Sequence, residues 1–219
     1  MNINFSVAQI EDAPPSIRIA LTLQMQKFHK KPYSEFVDLI HEAVYFSISR
    51  MSAAKNITAG MDEDQLTNLL LTPLATMAFD ASHSKNVGGN CDIVVNGHSE
   101  YIWLAEAKKF SSYSKLLGGY RQLVNRYSTG LQNQDHGSLL IYMVSHGNAK
   151  KRMLEWEAYL TDVEAGISTK REVTRPLEFD STQEHAGSGL PIYVRHTPVI
   201  LYHVPTDTQK APPRKKSNS

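Results

Sequence analysis

Two apolar runs of strand-forming residues, CDIVV at 91–95 and YIWLAEAKK at 101–109, stand on either side of NGHSE, and this arrangement constrains the chain more than any other feature. Both runs are rich in β-branched and aromatic residues, and the Asn-Gly pair between them tolerates positive φ, so the stretch predicts a β-hairpin. Pairing across a loop centred near Ser99 sets Asp92 opposite Glu106. Side chains alternate along a strand, so Leu104, Glu106 and Lys108 share one face while Trp103, Ala105 and Ala107 take the other. Cys91, on the face opposite Asp92, is expected as an inert core thiol.

An apolar hairpin belongs in a core, where an unpaired carboxylate is costly and two facing carboxylates more so. A compensating charge is required. A hard divalent cation supplies it: Mg²⁺ takes oxygen ligands, keeps several waters and is usually held by one or two carboxylates. Mn²⁺ is the expected substitute. Such a metal polarises a phosphate and lowers the pKa of its bound water. Lys108, a compact point charge two residues beyond Glu106, is placed to orient that water and to offset charge building on the phosphate. The bland alternative is a surface ion pair of Glu106 and Lys108, with Asp92 capping a turn. Solvated charges seldom interrupt apolar runs, which favours a site.

Asp92 and the Glu106-Ala107-Lys108 triplet resemble the signature of the PD-(D/E)xK nuclease superfamily, the restriction-endonuclease-like fold; Cys91 stands where the motif has its proline. The resemblance implies an α/β fold, a mixed central sheet flanked by helices. The family's α-β-β-β-α-β order fits Met61 to Ser145. It implies a nuclease, an endonuclease hydrolysing DNA phosphodiester bonds, with Asp92, Glu106 and the carbonyl of Ala107 as metal ligands. In bacteria such chains often serve restriction, anti-phage or mobile-element systems under a protein partner or small-molecule activator. The resemblance also implies a further acid on the helix before the hairpin. MDEDQLTNLLLTPLATMAF reads as that helix, with Leu66, Leu69, Leu70 and Leu74 at helical spacing and three acids in its first turn. Glu63 is chosen, with Asp62 and Asp64 as open alternatives, since any acid there also suits the helix dipole. Pro73 should kink or break the helix. In RecB-like branches a glutamine and then a tyrosine on the following helix line the site, here Gln122 and Tyr127. A spacing of five is not a same-face pair on a regular helix, whereas Gln122 and Arg126 are. Gln122 is therefore the expected site or phosphate contact with Arg126 beside it, and Tyr127 joins Tyr120 and Leu123 in the core.

From Ala107 to Gln134 there is no acidic residue, while Lys108, Lys109, Lys115, Arg121 and Arg126 are basic. That local field suits a polyanion, with Lys109, Lys115, Arg121 and Arg126 as nucleic-acid contacts. The net charge of +1 excludes a general nucleic-acid coat protein. Gly118-Gly119 is read as a turn into the helix, with a phosphate cradle as the alternative that no P-loop lysine pattern accompanies, and Gly88-Gly89 has the same two readings. A single cysteine excludes an intramolecular disulfide, and the nine histidines lack close metal-ligand spacing. With neither a signal peptide nor an apolar run long enough for a bilayer, the expectation is a cytoplasmic protein without membrane association.

Residues 1–60 read as a helical extension: Pro14-Pro15-Ser16 opens one helix, Pro32 stops it, and SEFVDLIHEAVYFSISRM forms another. These helices could pack on the sheet of the nuclease core, 61–204, or form the interface of a homodimer or higher homo-oligomer. SLLIYMVS suits a buried central strand and NAKKRMLEWEAYLTDVEAG a helix. Segment 167–190 reads as a loop, and PIYVRHTPVILYHV as edge strands broken at Pro198. The basic tail 205–219 is expected to be disordered. A competing function is a non-catalytic subunit that uses the same fold to bind nucleic acid or a partner.

Overall fold

Proline sets the first helices. In the computed structural model, which describes residues 7–86, 88–145, 147–171 and 173–204, a short α1 (Val7–Glu11) precedes α2 (Pro15–His29), and Pro32 caps α3 (Tyr33–Ala53). Pro15 occupies the first helical position, where the missing N–H would have no partner anyway. Lys30, at φ 50°, ends α2 by returning its N–H to the Gln26 carbonyl. After α4 (Lys55–Thr58), α5 (Glu63–Thr76) starts on a reciprocal capping box of Asp62 and Gln65. Pro73 does not break α5, contrary to expectation. It lies in the last turn, and the Met77 N–H closes the end on the Pro73 and Leu74 carbonyls.

The described residues form a seven-stranded mixed sheet ordered β1-β2-β3-β4-β7-β6-β5. The strands are β1 (Asp80–Asn86), β2 (Asn90–Asn96), β3 (Ile102–Lys109), β4 (His136–Met143), β5 (Ser168–Arg171), β6 (Phe179–Glu184) and β7 (Pro191–Ile200). Between β3 and β4 run α6 (Tyr113–Arg121) and, without a break, a π-helical turn from Gln122 to Tyr127; α7 (Ala149–Val163) follows β4. β3, β4 and β7 are parallel neighbours and the remaining pairs antiparallel. From α5 to β4 the order is therefore α-β-β-β-α-β.

Helices cover both faces. On one, Phe36, Ile40 and Val44 of α3 and Leu66, Leu70 and Leu74 of α5 pack on Ile93, Val95, Trp103, Ala105 and Tyr142. On the other, Leu116, Tyr120, Leu123 and Tyr127 join Trp156 of α7 against Val94, Leu104, Leu139 and Ile141. Alternation along β3 thus sends Trp103, Ala105 and Ala107 to the α3 side and Leu104 to the α6 side, as the hairpin reading requires. No helix among the described residues is long and apolar enough to cross a membrane.

Three further expectations of the fold need correction. Segment 167–190 is not a loop throughout, since β5 and β6 extend the sheet from it. β7 is one strand, unbroken at Pro198 and internal between β4 and β6. The register explains how Pro198 is accommodated. The Leu201 N–H donates to Met143, so odd-numbered amides face β4 and the Pro198 nitrogen faces the other edge, where β6 pairing has already ended at Phe179 and His196. Gly118-Gly119 lies inside α6 instead of at a turn into it. The tail 205–219 lies outside the described residues.

Candidate active site

The hairpin register decides which charges meet. Ile93 pairs with Ala105, Val94 with Leu104, Val95 with Trp103 and Asn96 with Ile102; the ladder stops one pair short of Asp92 and Glu106, whose side chains both reach Lys108. The turn is centred as expected but its chemistry differs: Ser99 takes the positive φ of 59°. Gly97 is needed for close approach, since a Cβ there would lie 2.7 Å from Tyr101 Cβ and 2.9 Å from the Phe36 ring.

Beyond Ala105 the β2 main chain leaves the ladder, and carboxylates take over. The Ala107 N–H donates to Asp92 Oδ2 at 2.9 Å, and the Lys109 N–H to Glu63 Oε2 at 2.6 Å. Two side chains from different elements are thus pinned by the unpaired edge of one strand. N–H and C=O of a strand residue share an edge, so the Ala107 carbonyl opens on the same side as Asp92. Cys91 does not face away from Asp92 as expected. Past the end of the ladder its Sγ approaches the carbonyls of Ile93 (3.3 Å) and Ala105 (3.5 Å), and it packs in the α6-side cluster with Val94. Burial pushes its thiol up to about 12.

Lys108 is the hub. Its ammonium pairs closely with Glu106 Oε1 and lies 3.5 Å from Asp92 Oδ2 and 3.6 Å from Glu63 Oε1. One cation therefore serves three acids. Glu106 is 1 % exposed, and its Oε2 has no hydrogen-bond donor among the described residues. Burial, and the Asp92 charge after it, push the Glu106 carboxyl up to about 7 despite Lys108. Burial also works against the Lys108 ammonium, but Glu106, Asp92 and Glu63 outweigh it and hold its pKa above the ordinary value. At Glu63 burial is likewise overcome, here by Lys115, the Lys109 amide and Lys108, and the carboxyl sits below its usual range.

The three acids at the start of α5 separate by duty. Asp62 spends its carboxylate on the Gln65 N–H, and Asp64 points outward with His83 Nε2 at 3.8 Å. Glu63 alone of the three reaches Lys108 and Lys115, the latter at 2.9 Å.

On the facing side α6 comes close. A Cβ on Gly119 would lie 2.9 Å from Lys108 Cγ, 3.1 Å from Lys108 Cε and 3.4 Å from Glu106 Cγ, so this glycine admits the lysine stem. The π turn alters the facing argument for Gln122 and Tyr127. Hydrogen bonds from i to i+5 bring residues five apart over one another, so that spacing no longer separates them. Tyr127 is buried, as expected, and its hydroxyl pKa is raised by burial and by Glu106. Gln122 lines an open cleft of ≈ 510 Å³ with Gly88, Gly118, Arg121, Asn125 and Arg126. Gly88, at φ 63°, is needed because a Cβ would lie 2.0 Å from the Arg126 carbonyl oxygen. It makes a tight turn against the π segment.

The basic residues are less free than the acid-poor sequence suggests, because carboxylates distant in the chain reach them. Lys115 is held by Glu63, Arg121 donates to Glu164 at 2.6 Å, and Lys109 Nζ donates to the Met61 carbonyl at 2.8 Å. Arg126 is exposed on the cleft. Sequence reasoning missed Gly119 and the use of Lys109 and Lys115 to fix Glu63; a glycine inside an amphipathic helix beside the motif was the available signal for the first.

Among the described residues no three His, Cys, Asp or Glu side chains converge to hold a metal ion. A site of two carboxylates and a main-chain carbonyl does not need three. The donors present are hard oxygens, and the undonated Glu106 Oε2 beside Asp92 is the mark of a pair short of positive charge, so the residues fit a hard divalent cation. A smaller cavity of ≈ 150 Å³, lined in part by Val37, His41, His136 and Arg195, lies by α3, whereas Glu106 and Lys108 project toward α6. The charges converge at Lys108, away from this cavity. No family model, no curated protein and no solved structure matches this chain.

Proposed function

We propose that this protein is a metal-dependent nuclease of the PD-(D/E)xK, restriction-endonuclease-like kind, an endonuclease that hydrolyses DNA phosphodiester bonds. The observation that carries the reading is the Lys108 ammonium set among Asp92, Glu106 and Glu63, with Glu106 buried and half undonated. Asp92, Glu106 and the Ala107 carbonyl would hold Mg²⁺, or Mn²⁺ in its place. When bound, the cation supplies Lewis-acid polarisation of the phosphate and a more acidic water. Lys108 orients that water and offsets developing negative charge. Glu63 keeps Lys108 and Lys115 in position, and Gln122 and Arg126 receive the phosphate backbone in the cleft. The wider setting that fits is a restriction, anti-phage or mobile-element system in which a partner or small molecule governs the nuclease.

The test is conversion of supercoiled plasmid to nicked or linear DNA in Mg²⁺ or Mn²⁺, with none in chelator. Asp92→Ala, Glu106→Ala and Lys108→Ala should each slow cleavage at least a hundredfold, about 2.7 kcal/mol of transition-state stabilisation. Cleavage at the wild-type rate in all three variants would refute the reading. A second reading, a non-catalytic nucleic-acid-binding subunit, is favoured by the pairing of Glu106 with Lys108 and of Glu63 with Lys115, which gives two of the acids a partner within the chain itself. DNA binding with no metal-dependent cleavage under any condition decides for it.

A further inference from the structure

α2 is apolar on two opposite sides. Ile19 and Leu23 are buried in the cluster α2 shares with α3, and on the same side the buried Gln26 donates to the Glu35 carbonyl of α3. At the helical period Ile17, Leu21, Met25 and Phe28 align on the side directly away from them. Ile17 is 52 %, Met25 41 % and Phe28 83 % exposed, and Leu21 is partly exposed. A helix with one packed face is ordinarily polar on the other. A row of four large apolar side chains, three of them exposed, marks a contact surface instead.

The charges at the two ends identify what covers it. Glu11 and Asp12 stand just before α2, and Lys27, Lys30 and Lys31 stand at its close. Glu11, Asp12 and Lys30 are all exposed. A parallel mate would face acid with acid and base with base, whereas an antiparallel mate faces each with its opposite. We propose that the row is a homodimer interface, in which a second copy of this chain packs its own α2 antiparallel about a two-fold axis. Ile17 then meets Phe28 of the partner subunit, Leu21 and Met25 lie near the axis, and Lys30 approaches Asp12 of the partner subunit. Such an isologous contact is self-complementary and closes at two copies. It is one helix long, about 22 Å, which places it at the small end of interfaces and makes the dimer weak and concentration-dependent. The inference is independent of the nuclease reading.

Sedimentation equilibrium of the full chain over a hundredfold concentration range tests it. The mass should climb from 24.6 kDa toward twice that value. Phe28→Ser and Met25→Ser should each weaken association at least tenfold with an unchanged circular dichroism spectrum. Ile57→Ser, at a site 65 % exposed on α4, should leave association unchanged. Lys30→Glu and Asp12→Lys should each weaken it about fivefold, and the double reversal should restore it to within twofold. A monomer at every concentration, or a dimer indifferent to Phe28→Ser, overturns the interface. Failure of the double reversal to restore association overturns the antiparallel geometry.

Discussion

Glu106 is a carboxylate at 1 % exposure with one oxygen undonated, Asp92 across the ladder, and a share in a single ammonium. Its folded-state pKa of about 7 lies above the ordinary 4.5, so the native state holds this proton more tightly than the unfolded chain does. Stability from the group is complete below pH 4.5 and is lost as pH rises through about 7. At pH 8 without metal the full loss is on the order of 3 kcal/mol. Glu106→Gln, which cannot ionise, should melt several degrees above the wild type at pH 8, with the gap closing toward pH 4.5. A gap of constant size across that range would show that burial does not set the titration. The same residue shows what a single chain of letters reveals. Asp92, Glu106 and Lys108 were legible because strand alternation and one turn fix their facing. The choice of Glu63 over Asp62 and Asp64 was not, since a helix start welcomes any acid; the capping box that consumes Asp62 and the outward position of Asp64 near His83 separate them.

Elements meet at the site through what they lack. The β2 main chain stops pairing with β3 at Ile93, which frees the β3 edge for Asp92 and Glu63, and α6 lacks a side chain at Gly119, which admits the Lys108 stem. Gly119→Ala sets two effects against each other. Alanine in a helix gains about 1 kcal/mol over glycine, whereas the new Cβ intrudes on the lysine below normal contact. Melting temperature should change little while cleavage falls at least tenfold. Gly118→Ala, with nothing within 4 Å of its Cβ, should raise the melting temperature by the propensity gain alone. Parallel loss of stability and activity in Gly119→Ala would mean that the glycine serves packing only. The proline-bounded helices α2 and α3 were readable from punctuation, and α5 from its leucine period. β5 and β6 were not, because STKR and FDSTQE are short, polar and half-exposed, and they become strands only when β7 offers an edge. The π turn leaves no sequence signature either, and it alone changes which residues of QLVNRY lie together.

Across the whole molecule, two apolar layers clamp the sheet while Asp92 and Glu106 meet past the end of the β2–β3 ladder, where pairing between those two strands gives out. The fold thus carries a local charge deficit that Lys108 only partly relieves. A ligand that binds the native state alone stabilises it by about 2.7 kcal/mol at a hundredfold excess over its Kd, which for a chain of this size is a rise of roughly 5–10 °C. Mg²⁺ or Mn²⁺ should raise the melting temperature accordingly, and Asp92→Asn or Glu106→Gln should abolish the rise. Lys108→Met separates two pictures of how the ammonium and the metal share the acids. If both draw on the same oxygens, removing the ammonium leaves Asp92, Glu106 and Glu63 uncompensated. The metal-free variant then melts lower than the wild type, and its metal-induced rise is larger at the same ion concentration. If the ammonium instead helps to seat the ion, the rise shrinks. The distances of 3.5 and 3.6 Å from Lys108 to Asp92 and Glu63, with its closer pairing to Glu106, favour the first outcome, because the charge the ion would bring already stands among the same carboxylates.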